Sequence, residues 1–429
     1  MLLLKGARLV DPQLGLDSIA NLLIDGERIA AVGTDVTAPQ GAQVRDMSGK
    51  VIMPGFIDVH VHLREPGQEY KETIATGSRA AVKGGFVGVA PMANTNPVCD
   101  TGSRVTFLLE REQEEAVCRI HPIGACTKGL KGETLAEIGD MVAAGAVAFS
   151  DDGRGVQDDG VMRRVMDYVK MFDKCVMSHC QREDLVGSGV VNEGVVSTRL
   201  GMAGWPAAGE EIQISRDIAL SNLTHCKLHI QHITTAAGVE LVQRAKAAGI
   251  PVTCEVTPHH LFLCEDDIGV DYDTNLKMNP PLRTAKDTKA LQEALIRGDI
   301  DCVATDHAPH AAHEKALEFE LAPFGTTGLE SAVALLMDRL VNSGRMGYDR
   351  LVQVLSVNPR KVLGLEPLRL EAGAIADLSI VDPNAKLIVG EGGFESKSAN
   401  SAFLGWELSG APSDVYVGGV ARMIDGKLV

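Results

Sequence analysis

The chain has 429 residues, 45% of them hydrophobic, and carries 57 acidic against 41 basic side chains for a formal charge of −16. This length exceeds one small domain and suits a large catalytic core with an accessory module. The acidic balance repels phosphate backbones and anionic membrane surfaces, so neither nucleic acid nor membrane is expected as a partner, and any anionic substrate must be captured by local cations.

The opening Met1-Leu2-Leu3-Leu4-Lys5 is apolar too briefly for a signal segment, and no later stretch approaches the length of a membrane span. Nine cysteines without a C-x-x-C pair exclude a zinc ribbon and argue against a disulfide framework, and they predict a reducing, cytoplasmic setting. Residues 1–50 alternate short apolar runs with turn signals, as where Asp25-Gly26 separates two strand-like pieces. The same texture returns over 366–429, around Asp377-Leu378-Ser379-Ile380 and Val415-Tyr416-Val417, so the two ends are expected to build one small β domain.

Between them, over 51–365, apolar strand-like runs alternate with helical patterns, which predicts repeated βα units on a parallel sheet. Strand ends are expected near 59–62, 87–92, 120–125, 146–150, 175–179, 228–232, 252–256 and 302–305, with helices over 72–82, 159–171, 238–248 and 329–341. About eight such units close a barrel, whose active site lies at the C-terminal ends of its strands. Segments 153–160 and 311–323 contain few core-like residues and are expected to form mobile loops over the mouth.

The polar residues fall at those strand ends. Pro54-Gly55-Phe56-Ile57-Asp58-Val59-His60-Val61-His62 finishes the first strand with an H-x-H pair, a spacing that lets one metal take both rings. His179 and His232 close later strands, strand four ends in Ser150-Asp151-Asp152, and strand eight runs into Ala304-Thr305-Asp306-His307-Ala308-Pro309-His310. Four imidazoles and two carboxylates on one mouth suit borderline cations such as zinc, with room for two. Arg64, two residues past His62, can meet a carboxylate with a bidentate fork. His121, His225, His229, His259, His260 and His313 have no strand-end partner that demands a metal, and they are expected in core or surface roles. His307 sits in the chemical motif, but its neighbours explain that motif without it.

These stretches, together with His62-Leu63-Arg64-Glu65-Pro66-Gly67, Met92-Ala93-Asn94-Thr95-Asn96-Pro97 and Met278-Asn279-Pro280-Pro281-Leu282-Arg283, resemble the amidohydrolase superfamily and within it the bacterial class I dihydroorotases. The resemblance runs nearly end to end. It implies a TIM-type (β/α)8 barrel with a small β-sandwich made from both chain ends, and the reversible cyclisation of N-carbamoyl-L-aspartate to L-dihydroorotate in pyrimidine synthesis. It further implies two zinc ions, one on His60, His62 and Asp306, the other on His179 and His232. Asp152 would bridge them in place of the carboxylated lysine found elsewhere in the superfamily, although Asp151 stands beside it.

By the same resemblance Asp306 is the proton shuttle. Arg64, Asn94 and His310 would take the substrate carboxylate, while Asn279 and the backbone at Phe324 and Gly325 would take the ring amides. A homodimer and association with aspartate transcarbamoylase are implied partners. The alternatives are another cyclic amidase, of the allantoinase or dihydropyrimidinase type, and a noncatalytic scaffold that has lost metal ligands. One departure stands out. Ala93 replaces a proline of the family pattern, so the loop carrying Asn94 is expected to be less preorganised.

Overall fold

The computed structural model describes all 429 residues. Eight strand positions lie in parallel order around a barrel. The first three positions are Phe56–Val61, Phe86–Pro91, and the pair Arg119–Ile120 and Ile123–Gly124. Ala148–Phe149, Cys175–Ser178, Lys227–Ile230, Val252–Val256 and Cys302–Val303 complete the ring. The third position is split at Pro122, which has no N–H to donate to the ladder. Closure comes from a bridge between Val61 and His307, where the His62 N–H donates to the His307 carbonyl at 2.9 Å. Beneath it the buried Asp58 carboxylate accepts the backbone N–H of both His60 and Thr305, tying the first strand to the last.

The strands are nearly continuous apolar runs because both faces are covered. All six residues of Phe56–Val61 are buried. Ile57, Val59, Ala90, Ala148, Met177 and Ala304 pack together as one cluster, while Phe56, Val61 and Phe86 join the large core beneath the surrounding helices. The expected helices are present with shifted ends. The first spans Ile74–Lys83, because Thr73 caps it and accepts from the Thr76 N–H. Glu72, expected inside it, instead turns into the core and accepts from the Ser396 hydroxyl, the Lys397 N–H and His307 Nε2. The helix Leu329–Leu336 passes into a wider π turn over Met337–Val341.

Strands from both ends of the sequence share a nine-stranded sheet. Val51–Pro54 lies at its centre, parallel to Leu2–Asp11 and antiparallel to Leu378–Ile388. The Asp25-Gly26 turn joins Leu16–Asp25 to Arg28–Gly33 as an antiparallel hairpin. Leu9, Leu22, Ile29, Ile52, Ile380 and Tyr416 pack into a core of their own, so the sheet folds on itself as a β-sandwich beside the barrel. Asp377 links the two units, accepting Arg119 Nε and Nη2 at 2.7 and 3.0 Å and the Gly418 N–H at 2.6 Å. No helix is long and apolar enough to cross a membrane.

Segment 311–323 departs from expectation. It contains the short helix Ala312–Lys315, and Lys315, Phe319 and Ala322 are buried. Irregular backbone carries no periodic pattern, so its buried positions are invisible to a reading by periodicity.

Candidate active site

His60, His62, Asp152, His179, His232 and Asp306 reach one mouth, while Asp151 and His307 at the same strand ends do not. Asp152 Oδ1 lies 3.4 Å from His60 Nε2, 3.3 Å from His179 Nδ1 and 3.8 Å from His232 Nε2. Asp306 Oδ1 lies 2.9 Å from His62 Nε2 and 3.5 Å from His60 Nε2. Three overlapping donor sets result: His60, His62 and Asp152; Asp152, His179 and His232; and His60, His232 and Asp306. Each set has its ligand atoms within 4.8 Å of one another.

The rings are held in the form a cation needs. His60 Nδ1 donates to Glu255 Oε1 at 2.6 Å, which leaves its buried Nε2 a lone-pair donor without a hydrogen-bond partner in the protein. His62 Nδ1 donates to Asn94 Oδ1 at 2.9 Å, and His179 Nε2 donates to Gln181 Oε1 at 3.0 Å. In each of these three rings the outer nitrogen is spent on an oxygen and the inner one faces the cluster. Asp152 and Asp306 add the negative charge that offsets a divalent ion. The donor set therefore fits hard or borderline divalent metals.

The carboxylates around the rings favour positive charge among them, whether a proton on His60 Nε2 or a cation that replaces it. Burial opposes charge on His60, but Glu255, Asp152 and Asp306 outweigh it and lift its pKa well above the usual histidine value. Burial likewise opposes ionisation of Asp152, yet the three imidazoles hold its carboxyl well below the usual range. Asp306 is lowered in the same way by His60 and His62. Arg64, His232 and Asp306 also have φ values of +61°, +31° and +47°. Three site residues thus occupy backbone conformations that L side chains rarely adopt, and such strain gathers where geometry is held for function.

Asp151 and Asp152 divide their tasks. The Asp151 carboxylate accepts the backbone N–H of Cys126 and Thr127 and the Thr127 hydroxyl, so it faces away from the histidines. Asn94 is fixed at both ends, to His62 and, through Nδ2, to Asp152 Oδ2 at 3.0 Å. The Ala93 carbonyl accepts the N–H of Thr95 and Cys99. This hydrogen bonding organises the loop without the proline.

A cavity of about 140 Å³ opens above the cluster, lined by His62, Arg64, Asn94, Asp152, Gly153, His179, His232, Asn279, Asp306, Ala308, His310, Phe324 and Gly325. His60 lies buried beneath it. On one wall Arg64 Nε donates to the Pro309 carbonyl at 3.2 Å, which leaves its outer nitrogens beside His310. Burial, with Arg64, Lys71 and Lys315 nearby, pushes His310 down to about 2, so the ring is neutral and its Nε2–H donates to the Phe324 carbonyl at 2.8 Å. Asn279 Oδ1 is buried without a hydrogen-bond partner. The Gly325 N–H is already spent on the Lys277 carbonyl, and the Gly325 carbonyl accepts Lys315 and Asn400.

Sequence reasoning missed Glu255, which joins His60 Nδ1 to His229 Nε2 at 3.0 Å. Its signal was a lone carboxylate in Val252-Thr253-Cys254-Glu255-Val256, because a buried charge needs partners. His229, expected in a bland role, continues this chain to the Thr253 hydroxyl at 2.7 Å. His307 bonds to Glu72 and to the Gly328 N–H, and His260 to Thr257 and the Pro280 carbonyl.

A family profile described as dihydro-orotase-like matches residues 49–238. The dihydroorotase of Pelotomaculum thermopropionicum is 48% identical to this chain over 424 residues, covering 99% of each. That of Geobacter metallireducens is 44% identical, covering 97% of this chain and 98% of its own. Among solved structures, the L-hydantoinase (dihydropyrimidinase) of Arthrobacter aurescens matches with a TM-score of 0.90 at 25% identity, over 100% of this chain and 97% of that one. The D-hydantoinase of Thermus sp. matches with a TM-score of 0.86 at 27% identity, over 100% and 96%. Identity at this level along the whole length, on a barrel with this cluster at its mouth, means that the chain belongs to the dihydroorotase family.

Proposed function

We propose that the protein is a dihydroorotase, closing N-carbamoyl-L-aspartate to L-dihydroorotate and reopening it, with two zinc ions. The observation that carries the reading is the convergence of His60, His62, Asp152, His179, His232 and Asp306 below a wall bearing Arg64. His60 and His62 with Asp306 would hold one ion, His179 and His232 the other, and Asp152 would serve both. When bound, the ions lower the pKa of a water toward about 7 and polarise the carbonyl under attack.

The side chains supply the rest. Asp306 is the proton carrier in this reading, and its side chain is 13% exposed to the cavity side against 5% for Asp152. In ring opening the amide C–N bond breaks and Asp306 passes a proton to the departing nitrogen. In ring closure it takes that proton from the ureido nitrogen as the C–N bond forms and water leaves. Arg64 and the free N–H of Asn94 would hold the substrate carboxylate, and His310 would join them by giving up its bond to the Phe324 carbonyl. The unpartnered Asn279 Oδ1 would accept a ring N–H. Phe324 and Gly325 would shape the ring wall. Because the Gly325 N–H is already bonded, this part of the recognition falls mainly to Asn279.

A hydantoin-type ring without a carboxylate makes no use of Arg64, and a noncatalytic scaffold has no use for a complete donor set. Placement in a reducing cytoplasm is supported by nine free cysteines, eight of them buried. A homodimer and docking to aspartate transcarbamoylase belong to the same proposal and rest on the family resemblance. The test is metal analysis joined to turnover of carbamoyl-aspartate at mildly acidic pH and dihydroorotate at alkaline pH. Chelation should abolish both directions and zinc restore them. A zinc-loaded sample that turns over neither, or that opens allantoin or dihydrouracil in preference to dihydroorotate, would end the proposal.

A further inference from the structure

Two buried lysines stand behind the cavity wall that carries Phe324 and Gly325. Lys277 Nζ donates to the carbonyls of Glu320 and Ala322 at 2.9 and 2.7 Å. Lys315 Nζ donates to those of Pro323 and Gly325 at 2.9 and 3.0 Å. Four carbonyls of one six-residue turn are therefore drawn onto two ammonium groups. The Lys277 Nζ also sits 4.5 Å from the centroid of the Phe324 ring. Lys277 and Lys315 are 2% and 8% exposed, and each hydrogen-bonds main-chain carbonyls rather than a carboxylate.

Burial lowers Lys277 to about 8, with Glu320 only partly opposing it. Burial and the charge of Lys277 lower Lys315 to about 7 against the weaker pull of Asp273 and Glu314. Burying two such cations costs free energy that a methionine of similar length would not. What they provide is geometry and field. The turn they hold includes the Phe324 carbonyl, which takes the His310 Nε2–H, and His310 stands beside Arg64, whose Nη2 lies 3.3 Å from that ring nitrogen. While protonated, they place positive charge behind that wall in a region of low dielectric, where an anionic group in the cavity is favoured more than it would be in water.

We propose that Lys277 and Lys315 are positioning residues for substrate selection, holding the wall of Phe324, Gly325 and His310 in register with Arg64 and favouring a ring that bears a carboxylate. The inference rests on the dihydroorotase reading and extends it to residues outside the cavity. A ring without a carboxylate gains little from either lysine, so their removal should erode discrimination more than chemistry.

The experiment compares K277M and K315M with the wild type on dihydroorotate and on dihydrouracil, with metal content measured on every sample. Each substitution should raise KM for dihydroorotate about tenfold or more, the effect of losing one hydrogen bond to a charged group, while kcat and metal content hold. The preference for dihydroorotate over dihydrouracil should fall by the same factor. K277M keeps the comparison available if K315M does not fold. Wild-type turnover of dihydroorotate with unchanged KM in the variants overturns the inference alone, as does a fall in kcat and metal content at constant KM. Absence of wild-type turnover on dihydroorotate overturns the functional reading along with it.

Discussion

Asp151 and Asp152 are chemically identical neighbours, and only their surroundings separate them. Asp151 is held by two backbone N–H groups and the Thr127 hydroxyl, whereas Asp152 faces four imidazoles. D152A should lose metal, seen by elemental analysis, and with it nearly all turnover. D151A should keep its metal and instead lose about 1–3 kcal/mol of stability in denaturant unfolding, because buried donors lose their acceptor. The reverse pattern would reassign the pair. At this scale the sequence was most legible where one residue's position decided its role. His60, His62, His179, His232 and Asp306 each end an apolar run, and strand ends converge in a barrel. Glu255 left only the signal of a lone carboxylate in an apolar strand, and its partner His60, 195 residues away in the chain, could not be read from it. The strained backbones of Arg64, His232 and Asp306 leave no mark in composition either.

Elements meet where the barrel touches the sandwich, and there the Arg119 guanidinium grips Asp377 with two hydrogen bonds. Asp377 is buried while the Arg119 side chain is 39% exposed, so the cost of breaking the pair is moderated by solvent. D377A should lower stability by about 2 kcal/mol in urea titration without loss of metal. A metal-depleted D377A would show that the sandwich shapes the mouth. Hairpins and βα units were readable because their patterns are local: the Asp25-Gly26 turn and all eight strand ends lie where periodicity and turn chemistry put them. The split at Pro122, the π turn over Met337–Val341 and the packed segment 311–323 were not. The π turn packs against the strand Glu407–Val417, to which Asp338 and Asn342 bond, whereas the split follows from where Pro122 falls in the ladder. The sheet order, with Val51–Pro54 between strands from opposite ends of the chain, is likewise a non-local outcome.

For the whole molecule, several buried histidines set the response to acid. Burial, with Arg360 and Arg119 close by, pushes His121 down to about 3, and burial pushes His259 down to about 4. In the unfolded chain these rings take up a proton near 6.5, while in the fold they resist until far lower pH. The unfolded state therefore binds more protons in that window, and stability present above pH 6.5 is lost as pH falls toward 4. Urea midpoints should decline over that range, and H121N, which cannot titrate, should flatten part of the decline. An unaltered slope in H121N would remove His121 from the account.

The bridge between Val61 and His307 is where the circle of strands is sealed, and the clustered histidines and Asp306 stand on both sides of that seam. A growing polypeptide has already released five of the six donors before Asp306 is made. The donor set that includes Asp306 is therefore the last to be completed, and an ion held there would join the first strand of the ring to the last.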